Sequence, residues 1–199
     1  MLLTYYMTKR INMNLAVLQL KGGVGKTPLS FSLAKDLGLK WQSNDDSVVP
    51  QFYKDGKILD KCIFEPNTMY DFGGFASAGV LEILKHCSIV IVPITSNPNS
   101  IKRAASTISQ IKPLGCKTLG LITDVSSQKE LEETVAMIKA ANIACTKFLI
   151  LKSSKIFENA MTTGLSFLEL YNESNLSKRQ YQSFIDMYQK VVNYIKDNK

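Results

Sequence analysis

Two hydrophobic rhythms alternate along this chain. Leu15-Ala16-Val17-Leu18-Gln19-Leu20 is a short, nearly unbroken apolar run, the pattern of a strand buried on both faces. In Leu29-Ser30-Phe31-Ser32-Leu33-Ala34-Lys35-Asp36-Leu37 the apolar residues recur at helical spacing, and Gly38 is a natural stop. The alternation then repeats. A short strand is predicted over 39–43, a turn or hairpin through Asp55-Gly56, an edge strand over 61–64 and a strand leading to Asp71. A helix from Gly79 to His86 precedes the continuously apolar strand 88–94, and Ser100 is placed to cap a helix over 101–111. A strand over 118–124, a helix over 128–141 and a strand over 146–151 follow. Ser153-Ser154-Lys155 is read as the cap of a helix reaching Thr163-Gly164. A last helix, about 177 to 196, sets Tyr181, Phe184, Ile185, Tyr188, Val191, Val192 and Ile195 on one stripe. Strands alternating with helices predict an α/β fold: a doubly wound, mostly parallel sheet with helices on both faces and its ligand at the carboxyl ends of the strands.

Lys21-Gly22-Gly23-Val24-Gly25-Lys26-Thr27 lies between the first strand and the first helix. Strand, glycine-rich loop, lysine-hydroxyl pair and helix together are the context of a phosphate-binding loop. The glycines allow positive φ, so that successive N–H groups point at a polyphosphate, and the helix start adds partial positive charge there. Lys26 is placed to reach the β- and γ-phosphates, and the Thr27 hydroxyl to take one position on Mg²⁺. Asp71, followed by Phe72-Gly73-Gly74, has the character of a metal-holding carboxylate at a strand end; the plainer reading is that it opens a glycine-rich turn.

The second lysine, Lys21, sits directly after the strand. With it the loop resembles the deviant Walker A motif of the ParA/MinD family, ATPases that position plasmids, chromosomes and division machinery. The resemblance covers most of the chain from Asn14 onward and is closest to the short, single-domain plasmid-partition type. It implies a P-loop ATPase binding ATP/ADP with Mg²⁺, Lys21 contacting the partner subunit's nucleotide in a homodimer. Its nucleotide-binding residues would be Lys21, Gly22, Gly23, Val24, Gly25, Lys26, Thr27 and Pro28, with Lys21 and Lys26 catalytic and Thr27 and Asp71 on the metal. The family's strand-end Asp that positions the attacking water corresponds to Asp45, within the irregular stretch Asn44-Asp45-Asp46; an Asx turn or a helix cap is the alternative reading there. Asp124 or Thr123 stands where the family carries a side chain near the adenine, often Asn. Pro28 and Phe72 depart from the family pattern, which has Thr or Ser at the first position and a smaller residue at the second.

The net charge of +7 is spread along the chain rather than gathered in one run. It suits polyanion contacts as well as a merely soluble surface, and Lys178, Arg179, Lys190 and Lys196 are left free by the last helix's apolar stripe. Four cysteines without a Cys-x-x-Cys pair, three of them in or beside apolar runs, predict buried free thiols in a reducing cytosol rather than a disulfide frame or zinc site. The single histidine, His86, excludes a histidine-rich metal site and is expected to end a helix. No apolar run approaches the ~20 residues of a membrane span, so a cytoplasmic, nucleoid-associated protein with no evident membrane anchor is expected. Residues 1–13 are read as a candidate flexible arm and 14–199 as one ATPase domain.

The resemblance implies an ATP-dependent dimerising switch for DNA partition. It would bind nonspecific DNA in the ATP state and meet a small centromere-binding adaptor that stimulates hydrolysis. The alternatives are a related positioning ATPase for conjugation, secretion or division machinery, and a nucleotide-bound scaffold that hydrolyses poorly. The departures at Pro28, Phe72 and Asn44-Asp46 motivate the last and predict slow turnover.

Overall fold

Seven parallel strands form one sheet in the computed structural model, which describes residues 13–74 and 78–199. They are β1 (Leu15–Gln19), β2 (Lys40–Ser43), β3 (Gly56–Ile58), β4 (Thr68–Gly73), β5 (Ile89–Ile94), β6 (Lys117–Val125) and β7 (Lys147–Lys152), in the spatial order β3-β2-β4-β1-β5-β6-β7. The helices are α1 (Lys26–Leu37), α2 (Val49–Phe52), α3 (Ala78–Leu84), α4 (Pro98–Ile111), α5 (Gln128–Ala140), α6 (Ile156–Thr163), α7 (Phe167–Asn172) and α8 (Asn175–Asp197). After β1 the chain builds outward on one side and returns as β4, then crosses to β5 on the other. The order therefore reverses beside β1, where doubly wound sheets bind their ligands.

The period-2 geometry of β1 divides the interior. Leu15 and Val17 join Phe31, Leu33, Trp41 and the α8 stripe on one face, whereas Ala16 and Leu18 join Tyr70, Phe72, Val90, Ile101 and Ile108 on the other. All seven apolar positions assigned to the last helix are buried. Its Phe184 and Tyr188 meet Phe167 edge-on at ring-centroid distances of 5.2 Å, and Phe157 lies edge-on to Phe184 at 5.6 Å. Phe157 thereby has its ring fixed by the core while its residue belongs to a helix that opens near the nucleotide loop.

Several local expectations are corrected. Asp55-Gly56 is not a hairpin: β3 runs parallel to β2, because α2 reverses the chain before it. The edge strand is Gly56–Ile58 rather than 61–64, a segment that makes no ladder; Ile63 donates its N–H to the Gln42 side chain instead. Asn97, not Ser100, caps α4, accepting from Asn99 N at 2.9 Å, while the Ser100 hydroxyl accepts from Thr95 N. Ser154 accepts from Ile156 N, but the residue at the start of α6 is Lys155 and it caps nothing with its side chain. Of the cysteines, all free, only Cys87 is buried and the others are half-buried. The arm expected over 1–13 lies outside the described residues except for Met13, which is part of the core.

Asp36 links α1 to α7 and α8, accepting from Ser166 Oγ at 2.5 Å and from Tyr188 Oη at 2.8 Å. Burial nevertheless pushes its carboxyl from 3.8 up to about 6, against those two donors. The folded state then binds more protons than the unfolded chain between these values. Its contribution is fully present below pH 3.8 and is lost as pH rises through about 6, on the order of 3 kcal/mol in all. Urea unfolding of Asp36→Asn between pH 4 and 7 should lack this downward component.

Candidate nucleotide site

The loop after β1 owes its shape to two glycines in the left-handed region, Gly23 at φ 71° and Gly25 at φ 81°. Gly25 is also the N-cap of α1, so no side chain satisfies the first-turn amides, and no acidic residue lies in that turn. Lys26 N–H and Thr27 N–H are thus available to an anion, as the helix start requires of an anion site. The Lys26 ammonium donates to Lys21 O at 3.2 Å, across the mouth of the loop, and Lys21 Nζ folds back to Gly22 O at 3.3 Å. Neither lysine has a carboxylate within ion-pair distance among the described residues. Two cations over a ring of amides make a strongly electropositive mouth.

Pro28 occupies the third position of α1. Proline fits the first turn of a helix, and the helix continues through it with Leu29 N donating to Gly25 O at 3.2 Å. It nevertheless removes one N–H from the set that could face a phosphate. Pro28→Thr should tighten nucleotide binding by about 1–3 kcal/mol, measured by titration calorimetry with ATP and ADP; unchanged affinity would remove any role for this position.

Asp71 stands in register with Val17 on one side and Ser43 on the other, at the heart of the sheet. It is 1% exposed, and neither carboxylate oxygen has a hydrogen-bond partner. The neighbouring Ser30 hydroxyl is committed elsewhere, donating to Thr27 O and accepting from Trp41 Nε1 at 2.9 Å. Burial drives the Asp71 carboxyl up to about 6; the Thr27 hydroxyl, the Lys26 charge and the Ser30 hydroxyl offset part of this, the two hydroxyls lying near the carboxylate but outside hydrogen-bond geometry, and the charge of Asp45 adds to it. A buried, orphaned carboxylate beneath a lysine and a threonine suits a hard cation with oxygen ligands. Thr27 and Asp71 are therefore the residues that would hold Mg²⁺. No group of three or more His, Cys, Asp or Glu gathers elsewhere as a metal site among the described residues.

Asn44 explains how the irregular stretch after β2 reaches this centre. Its Oδ1 accepts from Gly73 N at 2.8 Å, fastening the loop to the carboxyl end of β4. Asp45 then lies across Gly73 so closely that a Cβ there would come 2.5 Å from its Oδ2. The Asx turn or helix cap weighed as the alternative is not formed: Asp45 Oδ1 reaches only the next N–H, Asp46 N at 3.0 Å, the turn is made instead by Ser43 Oγ accepting from Asp45 N at 3.0 Å, and the N-cap of α2 is Val48. The loop thus sets an exposed carboxylate at the strand end two residues beyond Asp71.

A cavity of about 200 Å³ opens beside the loop, lined by Gly23, Val24, Gly25, Thr95, Thr123, Asp124, Ser153, Ser154 and Phe157. β6 carries a register shift between Ile122 and Val125, and Asp124 within it adopts φ 61°. Both residues considered for the base-side position, Thr123 and Asp124, line this cavity. Thr95, Ser153, Ser154 and Phe157 had no individual role in the sequence reading, although the resemblance implies that the loop 95–100 borders the nucleotide and that the loop and helix 153–164 lie near the base. The available signal was topological, since all four follow the carboxyl ends of β5 and β7 on the ligand side of the sheet.

An all-parallel sheet in this order, a two-lysine loop after β1 and a buried acid at the end of β4 settle the architecture. This is the fold of the MinD and ParA-family ATPases. MinD from Pyrococcus horikoshii OT3 in complex with Mg-ADP superimposes with a TM-score of 0.59 at 11% identity, covering 94% of this chain and 99% of that one. A Cyanothece McdA variant in complex with ATP gives 0.56 at 12% identity, covering 80% and 90%. A ParA family ATPase from Chlorobium tepidum TLS gives 0.54 at 13%, covering 85% and 96%. The sequence matches no protein-family model and no curated protein. With identities this low, the MinD/ParA fold is carried by backbone and sheet topology, while the roles of individual residues rest on the local chemistry above.

Proposed function

We propose that this protein is a Mg²⁺-dependent nucleoside triphosphatase that works as a dimerising positioning switch. The observation that carries the reading is Asp71: a carboxylate with both oxygens buried and unpartnered, placed under Lys26 and Thr27. Such a group is costly in the empty fold, and the expense is understandable where a cation completes it. The bound metal would neutralise developing charge on the phosphates. Around it, the amides of Gly25 to Thr27 and the Lys26 ammonium would orient the triphosphate, and Asp45 would position a water for attack. Such catalysis is positioning plus electrostatics, without a covalent intermediate. Neighbours of the same fold were determined with ATP and with Mg-ADP, which favours adenine nucleotides as first ligands to test.

Lys21 supports the dimeric half of the reading. Its ammonium makes one hydrogen bond among the described residues, to the adjacent Gly22 carbonyl, and is therefore available to a second copy's phosphates. Gel filtration with ATP and Mg²⁺ tests this. The natural chain should shift to a dimer and Lys21→Ala should remain monomeric; normal dimerisation of the variant would contradict it.

The remaining elements of the proposal are DNA and an adaptor. Lys178, Arg179, Lys190 and Lys196 are exposed on the outer side of α8, a surface suited to nonspecific phosphate contact in the triphosphate state. A small DNA-binding adaptor would stimulate hydrolysis. No described helix is long and apolar enough to cross a membrane. The hydrolysis-poor scaffold is favoured by Pro28, Phe72 and the irregular Asn44-Asp46 stretch, and turnover no faster than that of Lys26→Ala, even with DNA and the adaptor present, would decide for it.

A further inference from the structure

We infer that the outer edge of β7 receives an extended segment of another protein, apolar in its middle and acidic at both ends, which joins the sheet as an added strand. The inference lies outside the nucleotide reading and does not depend on it. β7 ends the sheet, and no described strand pairs with its outer side. Ser153 N donates inward to Val125 O at 2.8 Å, and the pairing of Val125 with Lys152 sets the phase of the ladder. By the two-residue period of a strand, Leu149 and Leu151 also bond toward β6, while the N–H and C=O of Phe148, Ile150 and Lys152 face outward. Among the described residues nothing outside the sheet ladder hydrogen-bonds to these backbone groups.

Sheets blunt an exposed edge with short strands, proline, a bulge in the edge strand or a covering element. β7 has six residues, about 20 Å of edge, and contains no proline. The extra residue of the β6–β7 pair lies in β6, so β7 itself runs straight. Nor do the helices close over it. A cleft of about 380 Å³ is lined by Ile150 and Lys152 of β7, Gln128 and Leu131 of α5, and Met187 of α8. Leu131 packs with the core on one face of the sheet and Met187 with the core on the other. A strand laid between them would have an apolar neighbour on each face, as the inner strands of this sheet do.

Charge selects the occupant. Lys147 and Lys152 stand at the two ends of the edge. Neither forms an ion pair among the described residues, and Lys152 Nζ meets only the Ser183 hydroxyl, at 3.3 Å. On the flanking helices the carboxylates of Glu132 and Asp186 are engaged by Gln128 and Gln182. A segment with an acid opposite each lysine pairs both charges, and its own amides and carbonyls complete the ladder. A second copy suits the edge less well, because pairing β7 with β7 gathers the lysines of two chains, each of net charge +7, in one seam. Phosphates of a nucleic acid could meet the lysines but would leave the outward N–H and C=O row unused.

The probe is the synthetic peptide acetyl-EVTVTE-amide, whose acids are spaced as Lys147 and Lys152 are, titrated into the isotope-labelled full chain and followed by NMR. The amide signals of Phe148, Ile150 and Lys152 should shift. N-methylation of the alternate peptide amides that face β7 should weaken binding by about 10-fold or more, whereas methylating the other alternate set removes no hydrogen bond and should leave it within about threefold. Ile150→Pro deletes one outward N–H at an edge position that tolerates proline, and should cost about 10-fold. The double variant Lys147→Glu, Lys152→Glu tests the charges without touching the backbone: it should lose EVTVTE and bind KVTVTK instead. Absence of shifts in β7 overturns the inference, and so does equal binding of the two methylated peptides, which would assign the contact to charge alone. A natural chain that is dimeric without nucleotide, and monomeric as Ile150→Pro, would give the edge to a second copy and overturn it as well.

Discussion

Asp71→Asn should make the empty protein more stable while abolishing its response to Mg²⁺. The two effects have one cause. In the natural chain a carboxylate that is 1% exposed has no hydrogen-bond donor to either oxygen, and the folded state bears its desolvation. Replacing it with a neutral group of the same shape removes a buried unpaired charge, and a gain of about 1–3 kcal/mol is expected. The same change removes the carboxylate that β4 places beside Thr27. Magnesium should then no longer strengthen triphosphate binding. Chemical denaturation without nucleotide gives the first effect, and nucleotide titration with Mg²⁺ or with EDTA gives the second. A destabilised variant would mean that Asp71 has a structural partner, and a retained magnesium response would place the ion elsewhere. Stability and function moving in opposite directions is the pattern expected of a site kept unfavourable until its ligand arrives.

Lys26→Ala should lower triphosphate affinity by about 3 kcal/mol, more than 100-fold, with little loss of fold stability. Lys26 is the cation that closes the loop mouth, and its ammonium makes one hydrogen bond among the described residues, to a carbonyl at 3.2 Å, which water can replace. Its aliphatic stem sits at the first position of α1, where alanine is a better helix former than lysine. A contact to a charged phosphate has no such substitute. Thermal unfolding and nucleotide titration on the same preparation separate the two quantities. An affinity within threefold of the natural chain would show that the amides alone hold the phosphates, and the case for a hydrolytic role of Lys26 would fall with it.

Much of this architecture was legible in the order of residues. The run 15–20 could be satisfied only by burial on both faces, and the stripe from Tyr181 to Ile195 only by packing one side of a long helix. Glycines at 23 and 25 between a strand and a helix, followed by Lys26-Thr27, define a phosphate loop locally because each part of that motif is contiguous. The failures share the opposite property. Segment 61–64 has strand composition but no neighbour to pair with, and Gly56–Ile58 is a strand only because β2 lies beside it. Ser100 has capping chemistry, but Asn97 precedes Pro98 and takes the cap first.

The sequence by itself determined the fold class, the glycine-rich loop between β1 and α1 and its two lysines, since those depend on periodicity and on neighbours within a few residues. Only the tertiary structure decided that Asp71 is an orphan beneath Thr27, that Asn44 fastens Asp45 over Gly73, and that Asp124, Ser153 and Phe157 share one cavity with Gly25. These groups lie on separate strands and loops far apart in the chain. What brings them together is the crossover order of a parallel sheet, which converges distant strand ends on one side and cannot be read from any single window of residues.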